Sequence, residues 1–151
     1  MENLCIVPCG KKKIWDIKPQ TGAVYAKDAY QGTLHKKCQS FADKNNYPWV
    51  ILSAKHGFLL PFDIVPENYD AGFHFPKREV ISDTDLHSQW QTKKLNETKS
   101  IILLTGQKHE KVMHRIIENP HHYTWVTPLK GCRGIGDMLR RLNEITTKHN
   151  V

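Results

Sequence analysis

Apolar residues fall along this chain in two alternating rhythms. One is a short run apolar on both faces: LCIVPC at 4–9, WVILSA at 49–54 and SIILLTG at 100–106. Such runs, closed by glycine or lysine, predict strands buried on both sides. HYTWVTP at 122–128 predicts a fourth strand, nearer a sheet edge. The other rhythm is helical. Tyr30, Leu34, Cys38, Phe41 and Ala42 share one face of 28–44, with Gly32 a natural start. Leu86 and Trp90 share a face of 82–97, which opens on Ser82 and Asp85 as a capping-box variant. Val112, Met113 and Ile116 point inward from 107–119, a helix stopped before Pro120. The last helix, from 134, is expected to bury Ile135, Leu139, Leu142 and Ile145.

Strand and helix thus alternate about four times, with no repeats, low-complexity segments or interdomain linkers. The pattern predicts an α/β fold: a mainly parallel sheet of four or more strands flanked by helices, in a single domain over 1–151. In such sheets ligands sit beyond the carboxyl ends of the strands. Only 55–81 breaks the rhythm. Gly57, Pro61, Pro66, Gly72 and Pro76 predict one long irregular loop there, of the kind that forms lids or sites.

Each strand end carries glycine or a polar group. PCGKKK follows the first, with Gly10 for a sharp turn and Lys11, Lys12 and Lys13 to carry charge to a phosphate. SAKHG ends the second and clusters Ser53, Lys55 and His56. TGQKH ends the third, where Gly106 admits a ligand close to the backbone and Gln107 can read an amide or base edge. TPLKGCRGIG ends the fourth. Its Lys130, Arg133, Gly134 and Gly136, just ahead of a helix, look like half of a helix-hairpin-helix that holds a DNA phosphate. The same glycines also suit a plain strand-to-helix turn. Cys9 has lysines and a helix start beside it, which favour a thiolate, but no His–Asp partner can be assigned to it. Asp70, beside Tyr69 in the long loop, is either a turn former or a working carboxylate.

Composition narrows the classes. Hydrophobic residues at 39% and charged residues at 25% are those of an ordinary globular chain. No apolar run approaches the ~20 residues needed to span a membrane. The N-terminus puts its charges after its short apolar run, the reverse of a secretory signal, so a cytoplasmic location is expected. Cys5, Cys9, Cys38 and Cys132 lack paired zinc spacing and read as reduced thiols. His109 and His114, five apart, fall on different faces of a helix, and no metal is expected. The glycine spacing fits no dinucleotide fingerprint, and no cofactor is expected. The net charge of +7 is unevenly spread: +5 over 1–60, −2 over 61–100 and +4 over 101–151. A basic surface built from both ends suits a polyanion such as nucleic acid, although a solvated basic surface has the same composition.

CIVPCGKKKIWD, AYQGTLHKK, ILSAKHGFLLPFDIVPENYD, LLTGQKH and PLKGCRGIG occur in that order across nearly the whole chain. They resemble the successive motifs of a family of bacterial and phage domains: a strand ending with lysines, then Tyr-x-Gly, Leu-Ser-Ala-Lys-Tyr-Gly and Pro-Tyr-Asp. That family is similar to the YaaA-like peroxide-stress DNA-binding proteins. It also resembles the core domain of archaeosine synthase, which is related in fold to uracil-DNA glycosylases. Two positions depart from the pattern: His56 replaces the aromatic after lysine, and Pro66 is displaced from Tyr69 and Asp70.

The resemblance implies a uracil-DNA-glycosylase-like fold with a nucleobase pocket at the strand ends. An N-glycosidic hydrolase acting there on a damaged or modified DNA base needs three things. Asp70 is the expected stabiliser of the sugar cation, and Lys55 or His56 the donor to the departing base. Tyr69 and Gln107 are expected to hold the base out of the stack, with Cys9, Gly10, Ser53 and Gly106 lining the pocket. A lysine-based lyase would draw on Lys11, Lys12, Lys13 or Lys55. A non-catalytic DNA-binding module and an enzyme acting on free nucleosides or nucleotides are the competing readings.

Overall fold

A computed structural model describes residues 2–148. The chain opens with β1 (Asn3–Pro8), then a short helix α1 (Ile14–Ile17), a two-residue strand β2 (Val24–Tyr25) and a short helix α2 (Ala26–Ala29). The long α3 (Thr33–Lys44) leads into β3 (Trp49–Ser53), which turns back as β4 (Gly57–Leu59) before β5 (Ile64–Val65). The remainder is α4 (Asp83–Thr92), β6 (Ser100–Leu103), α5 (Gln107–Ile116), β7 (Thr124–Val126) and α6 (Ile135–Lys148).

The main sheet runs β4-β3-β1-β6-β7, and β2 pairs with β5 in a separate ribbon. β3, β1, β6 and β7 are parallel, whereas β4 is antiparallel to β3. The fold is therefore α/β, with a mixed, mostly parallel five-stranded sheet flanked by helices. β7 takes an edge, as its partly polar pattern requires.

β1 is central, with Ile6 opposite Val50 of β3 and Leu103 of β6. Successive strand residues point to opposite faces. Cys5, Val7, Ile51 and Ile102 therefore meet Cys38 and Phe41 of α3 and Met138 and Leu142 of α6. Leu4, Ile6, Leu52 and Leu103 meet Leu86, Trp90, Val112 and Met113 of α4 and α5. Burial on both faces explains why these strands show no polar alternation. Each fully buried aliphatic side chain contributes about 1.5–3 kcal/mol.

Helix boundaries follow local chemistry. Gly32 is the N-cap of α3, and the Ser82 hydroxyl caps α4 by accepting from the Asp85 N–H at 3.1 Å. Two expectations need correction. In α6 the inward stripe is Met138, Leu142 and Ile145, while Leu139 is half-buried and Ile135 is 63% exposed. Ile135 opens that helix, and the packing against α3 falls on later turns. Residues 55–81 are also not one irregular loop, since they contain β4, β5 and a 3-10 turn at Lys77–Glu79. β4 has three residues, too few to show a period. Its turn is held from α4, where Gln89 Oε1 accepts from the Phe58 N–H at 2.7 Å and Nε2 donates to the His56 carbonyl at 3.0 Å.

Candidate functional site

From β1 the chain crosses to β3 on one side, yet β6 lies against the other side of β1. The strand order reverses between β1 and β6, and open α/β sheets place their ligands beyond such a switch point. A cavity of about 290 Å³ lies there. Its walls are Cys9, Gly10, Lys11 and Lys13 from the turn after β1, Lys108 and His109 from the first turn of α5, and residues 70–75. Gly10 takes φ +78°, which lets the chain turn sharply off the strand.

Lys13 is turned inward by its own backbone. It forms an isolated bridge with Tyr30, and its N–H donates to Asp16 Oδ2 at 2.9 Å. The residue is only 3% exposed. Its Nζ donates to the Lys11 carbonyl at 3.0 Å and stands 4.5 Å from the centroid of the Tyr69 ring. Burial pulls its pKa down and the charge of Lys11 adds to that, while the carboxylates of Asp16 and Asp70 act against it. Lysine is almost never buried without a paired charge, and no ion pair to Lys13 occurs among the described residues.

Cys9 ends the run that begins with β1 and is 7% exposed. Its Sγ lies 4.0 Å from His109 Nε2, a residue one hundred positions away. The His109 ring donates to the Leu52 carbonyl and stands edge-on to Phe73 at 5.2 Å. Burial pushes the His109 pKa down to about 4, so the imidazole is neutral at neutral pH. Burial also pushes the Cys9 thiol up, although the N–H groups of Ala54 and Gly10 and the charge of Lys13 favour its thiolate. The resting pair is a thiol facing a neutral imidazole.

SAKHG proves to be the turn of the β3–β4 hairpin, with Ser53 paired to Gly57. The Ser53 hydroxyl organises it, accepting from the N–H groups of Lys55 and His56 at 3.3 and 3.1 Å. Tyr69 docks on this turn. Its hydroxyl bonds Ser53 Oγ at 2.9 Å and the Tyr30 hydroxyl, and burial raises its pKa to about 12. Lys55 Nζ lies 5.5 Å from the Tyr69 centroid, and the His56 ring meets Tyr69 edge-on. Burial lowers the His56 pKa, and its Nε2 is buried with no hydrogen-bond partner among the described residues.

The predicted residues therefore divide. Cys9, Gly10, Lys11, Lys13 and Asp70 line the cavity. Ser53, Tyr69, Lys55 and His56 form an adjoining cluster behind Lys13 that does not line it. Gly106 and Gln107 are exposed at the start of α5, outside the lining. Lys12 is exposed on the turn after β1. Lys130, Arg133 and Gly134 lie in the turn before α6 and Gly136 in its first turn, and none of them lines the cavity. There the Asp137 carboxylate already accepts from the Arg133 N–H at 3.0 Å and pairs with Arg140.

Sequence reasoning missed His109, Phe73, His74, Phe75 and Lys108. The strand-end motif TGQKH ends on Lys108 and His109, but only Gly106 and Gln107 are drawn from it as site residues. A neighbouring cleft adjoins the cavity. Its volume is about 430 Å³, and it shares Phe73, Phe75 and Lys108 with the cavity and adds Lys77, Lys111 and Arg115. Arg115 there is paired with Asp83. Among the described residues no group of three or more His, Cys, Asp or Glu could hold a metal ion, and no helix is long and apolar enough to cross a membrane.

Comparison with known proteins gives three findings. A family model described as "Family of unknown function (DUF6884)" matches residues 4–144. The uncharacterized protein YfjM of Bacillus subtilis (strain 168) is 41% identical over 152 residues, covering 100% of both chains. Among solved structures, "Crystal structure of AF0587, a protein of unknown function" aligns with a TM-score of 0.48 at 14% identity. That alignment covers 95% of this chain and 44% of the other, so the chain spans less than half of that protein.

Proposed function

The chain belongs to that family of unknown function, and from its site we propose that it is a nucleic-acid-directed N-glycosidic hydrolase that takes a damaged or modified base into the β1/β6 cleft. The observation that carries this reading is a pair of adjoining clefts lined by lysines. The clefts share Phe73, Phe75 and Lys108; Lys11, Lys13 and Asp70 line one, and Lys77 and Lys111 line the other. Lysines along such clefts suit a phosphate backbone, and the shared aromatic rings suit a base drawn out of its stack. The resemblance to glycosylase-related domains points the same way.

The roles shift from those expected of the sequence. Asp70 keeps the task of stabilising the sugar cation. Lys13, rather than Lys55 or His56, is the donor that meets the negative charge of the departing base, because Lys13 lines the cavity and they do not. Phe73 and Phe75 take the stacking role first given to Tyr69, whose hydroxyl is committed to Ser53 and Tyr30.

Incubation with oligonucleotides bearing a panel of modified bases, followed by alkali, tests the reading. Strand breaks at abasic sites are expected, with Asp70→Asn lowering the rate by about 10²-fold while binding persists. Tight, salt-sensitive binding without breaks across the panel would leave a non-catalytic module instead. The cavity volume of about 290 Å³ suits one small ligand and favours free nucleosides or nucleotides as the second reading. Base release from mononucleotides, with none from oligonucleotides, would select it.

A further inference from the structure

The cleft holds a reactive pair that the glycosidic reading leaves unused. We propose that Cys9 and His109 are a nucleophile and its base, and that the cleft forms a covalent bond between Cys9 Sγ and an electrophilic carbon of an anionic substrate. Sγ is 4.0 Å from His109 Nε2, and both residues line the cavity. The Leu52 carbonyl holds the imidazole by accepting its N–H, the arrangement by which a third group orients a catalytic base. The N–H groups of Ala54 and Gly10 and the charge of Lys13 all favour negative charge on the sulfur, so the anion that develops during attack is stabilised. The resting thiol is protonated, so attack needs a base within reach; His109 Nε2 is the group at 4.0 Å, and an anionic substrate in the cleft raises its basicity from the low resting value.

The class of substrate follows from the walls. Lys11, Lys13 and Lys108 surround the pair, and α5 turns its N-terminal end, free of any side-chain cap, toward the same space. A small molecule or nucleotide carrying a carboxylate or phosphate beside the reacting carbon fits this field. In the step, His109 Nε2 takes the thiol proton as Sγ bonds the carbon. The bond from that carbon to its leaving group breaks, and the leaving group departs with the electron pair and recovers the proton from His109. Where the glycosidic reading holds, the carbon is C1′ and the leaving group is the base. Water then displaces the sulfur and returns a proton to it. The pair itself does not depend on that reading.

Alkylation of the whole protein with iodoacetate and with iodoacetamide at neutral pH, read per cysteine by peptide mass spectrometry, tests the proposal. In this probe reaction iodide is the leaving group. Cys132 is more exposed than Cys9 and serves as the internal reference thiol. Cys9 is expected to react with iodoacetate about tenfold faster than Cys132, and to prefer iodoacetate over iodoacetamide. His109→Gln is expected to slow Cys9 by about tenfold or more and leave the rate at Cys132 unchanged. A Cys9 rate at or below that of Cys132 in the unaltered protein overturns the proposal without recourse to any variant. So does a His109→Gln protein in which Cys9 keeps its rate. Base release that persists in Cys9→Ser would also sink the covalent step while sparing the glycosidic reading. Fast labelling without base release would do the reverse.

Discussion

Two helices in this protein begin just after a strand and a glycine, and they meet opposite fates. α5 follows β6 through Gly106, and α6 follows β7 through the glycines at 131 and 134. As sequence, TGQKH and KGCRGIG are equivalent invitations to an anion. In the fold, the first turn of α5 has no side-chain cap and opens on a cavity walled by lysines. The first turn of α6 is filled from within, since Asp137 takes the Arg133 N–H and Arg140. A helix start offers positive potential in every case. Whether a ligand finds it depends on whether the chain's own carboxylate arrived first.

The largest test of this contrast is Lys13→Met. Removing the buried cation should weaken binding of an anionic nucleotide by roughly tenfold to a hundredfold, as expected for a charge-assisted contact. The same change should hold or raise the melting temperature at neutral pH, because a buried charge without a paired carboxylate disfavours the fold. The folded pKa of Lys13 is depressed, so the unfolded chain binds more protons just below the ordinary lysine value. Stability in the unaltered protein should therefore rise with pH through that window, and Lys13→Met should flatten the rise. Isothermal titration with a nucleoside monophosphate and thermal melts over pH check both arms. A parallel loss of binding and stability would make Lys13 a structural residue.

A pair of glycine substitutions gives the next effect. Gly134 takes φ +137°, where a side chain is strained, and Gly134→Ala should cost about 1–2 kcal/mol in urea unfolding. Gly106 takes φ −83°, and an added Cβ meets no atom within 4 Å. Gly106→Ala should therefore cost less, about 0.5 kcal/mol, from the preference of a helix N-cap for glycine over alanine and not from strain. Equal costs at the two positions would erase the distinction between a turn that needs glycine and a helix start left open.

The smallest effect belongs to Asp137→Asn. Its hydrogen bond from Arg140 and the Arg133 N–H hold the Asp137 pKa below the ordinary carboxylate range. That contribution is present above the unfolded carboxylate pKa and is lost as pH falls through the folded one. The variant should melt slightly below the parent at pH 7, with the gap closing in acid. It should leave the cleft's nucleotide affinity unchanged, and a change there would show that the two helix starts communicate.

Much of the scaffold was legible because both-face burial and helical stripes are periodic properties of adjacent residues. β1, β3 and β6, the edge position of β7, the caps at Gly32 and Ser82, and the inward faces of α4 and α5 all came from such local patterns. The failures were short or phase-sensitive. β4 is three residues long and is held by Gln89, thirty-one positions from Phe58. In α6 a stripe through Ile135, Leu139 and Leu142 has the same spacing as the observed one through Met138, Leu142 and Ile145. Only packing against α3 separates them.

The site divides along the same line. Residue types at the strand ends, the net basic charge and the glycine turn after β1 are properties of the chain as written, and they pointed to the end of the sheet where the cavity lies. Three other features are not: the burial of Lys13, the meeting of Cys9 with His109, and the position of Lys55 and His56 in a hairpin turn beside the cavity. Each depends on which strand lies next to β1 and on where the 70–75 segment folds back. Periodicity is set by neighbours along the chain and survives in the sequence. The electrostatics of a cleft are set by neighbours in space, which here come from segments a hundred residues apart, and only the tertiary structure decides them.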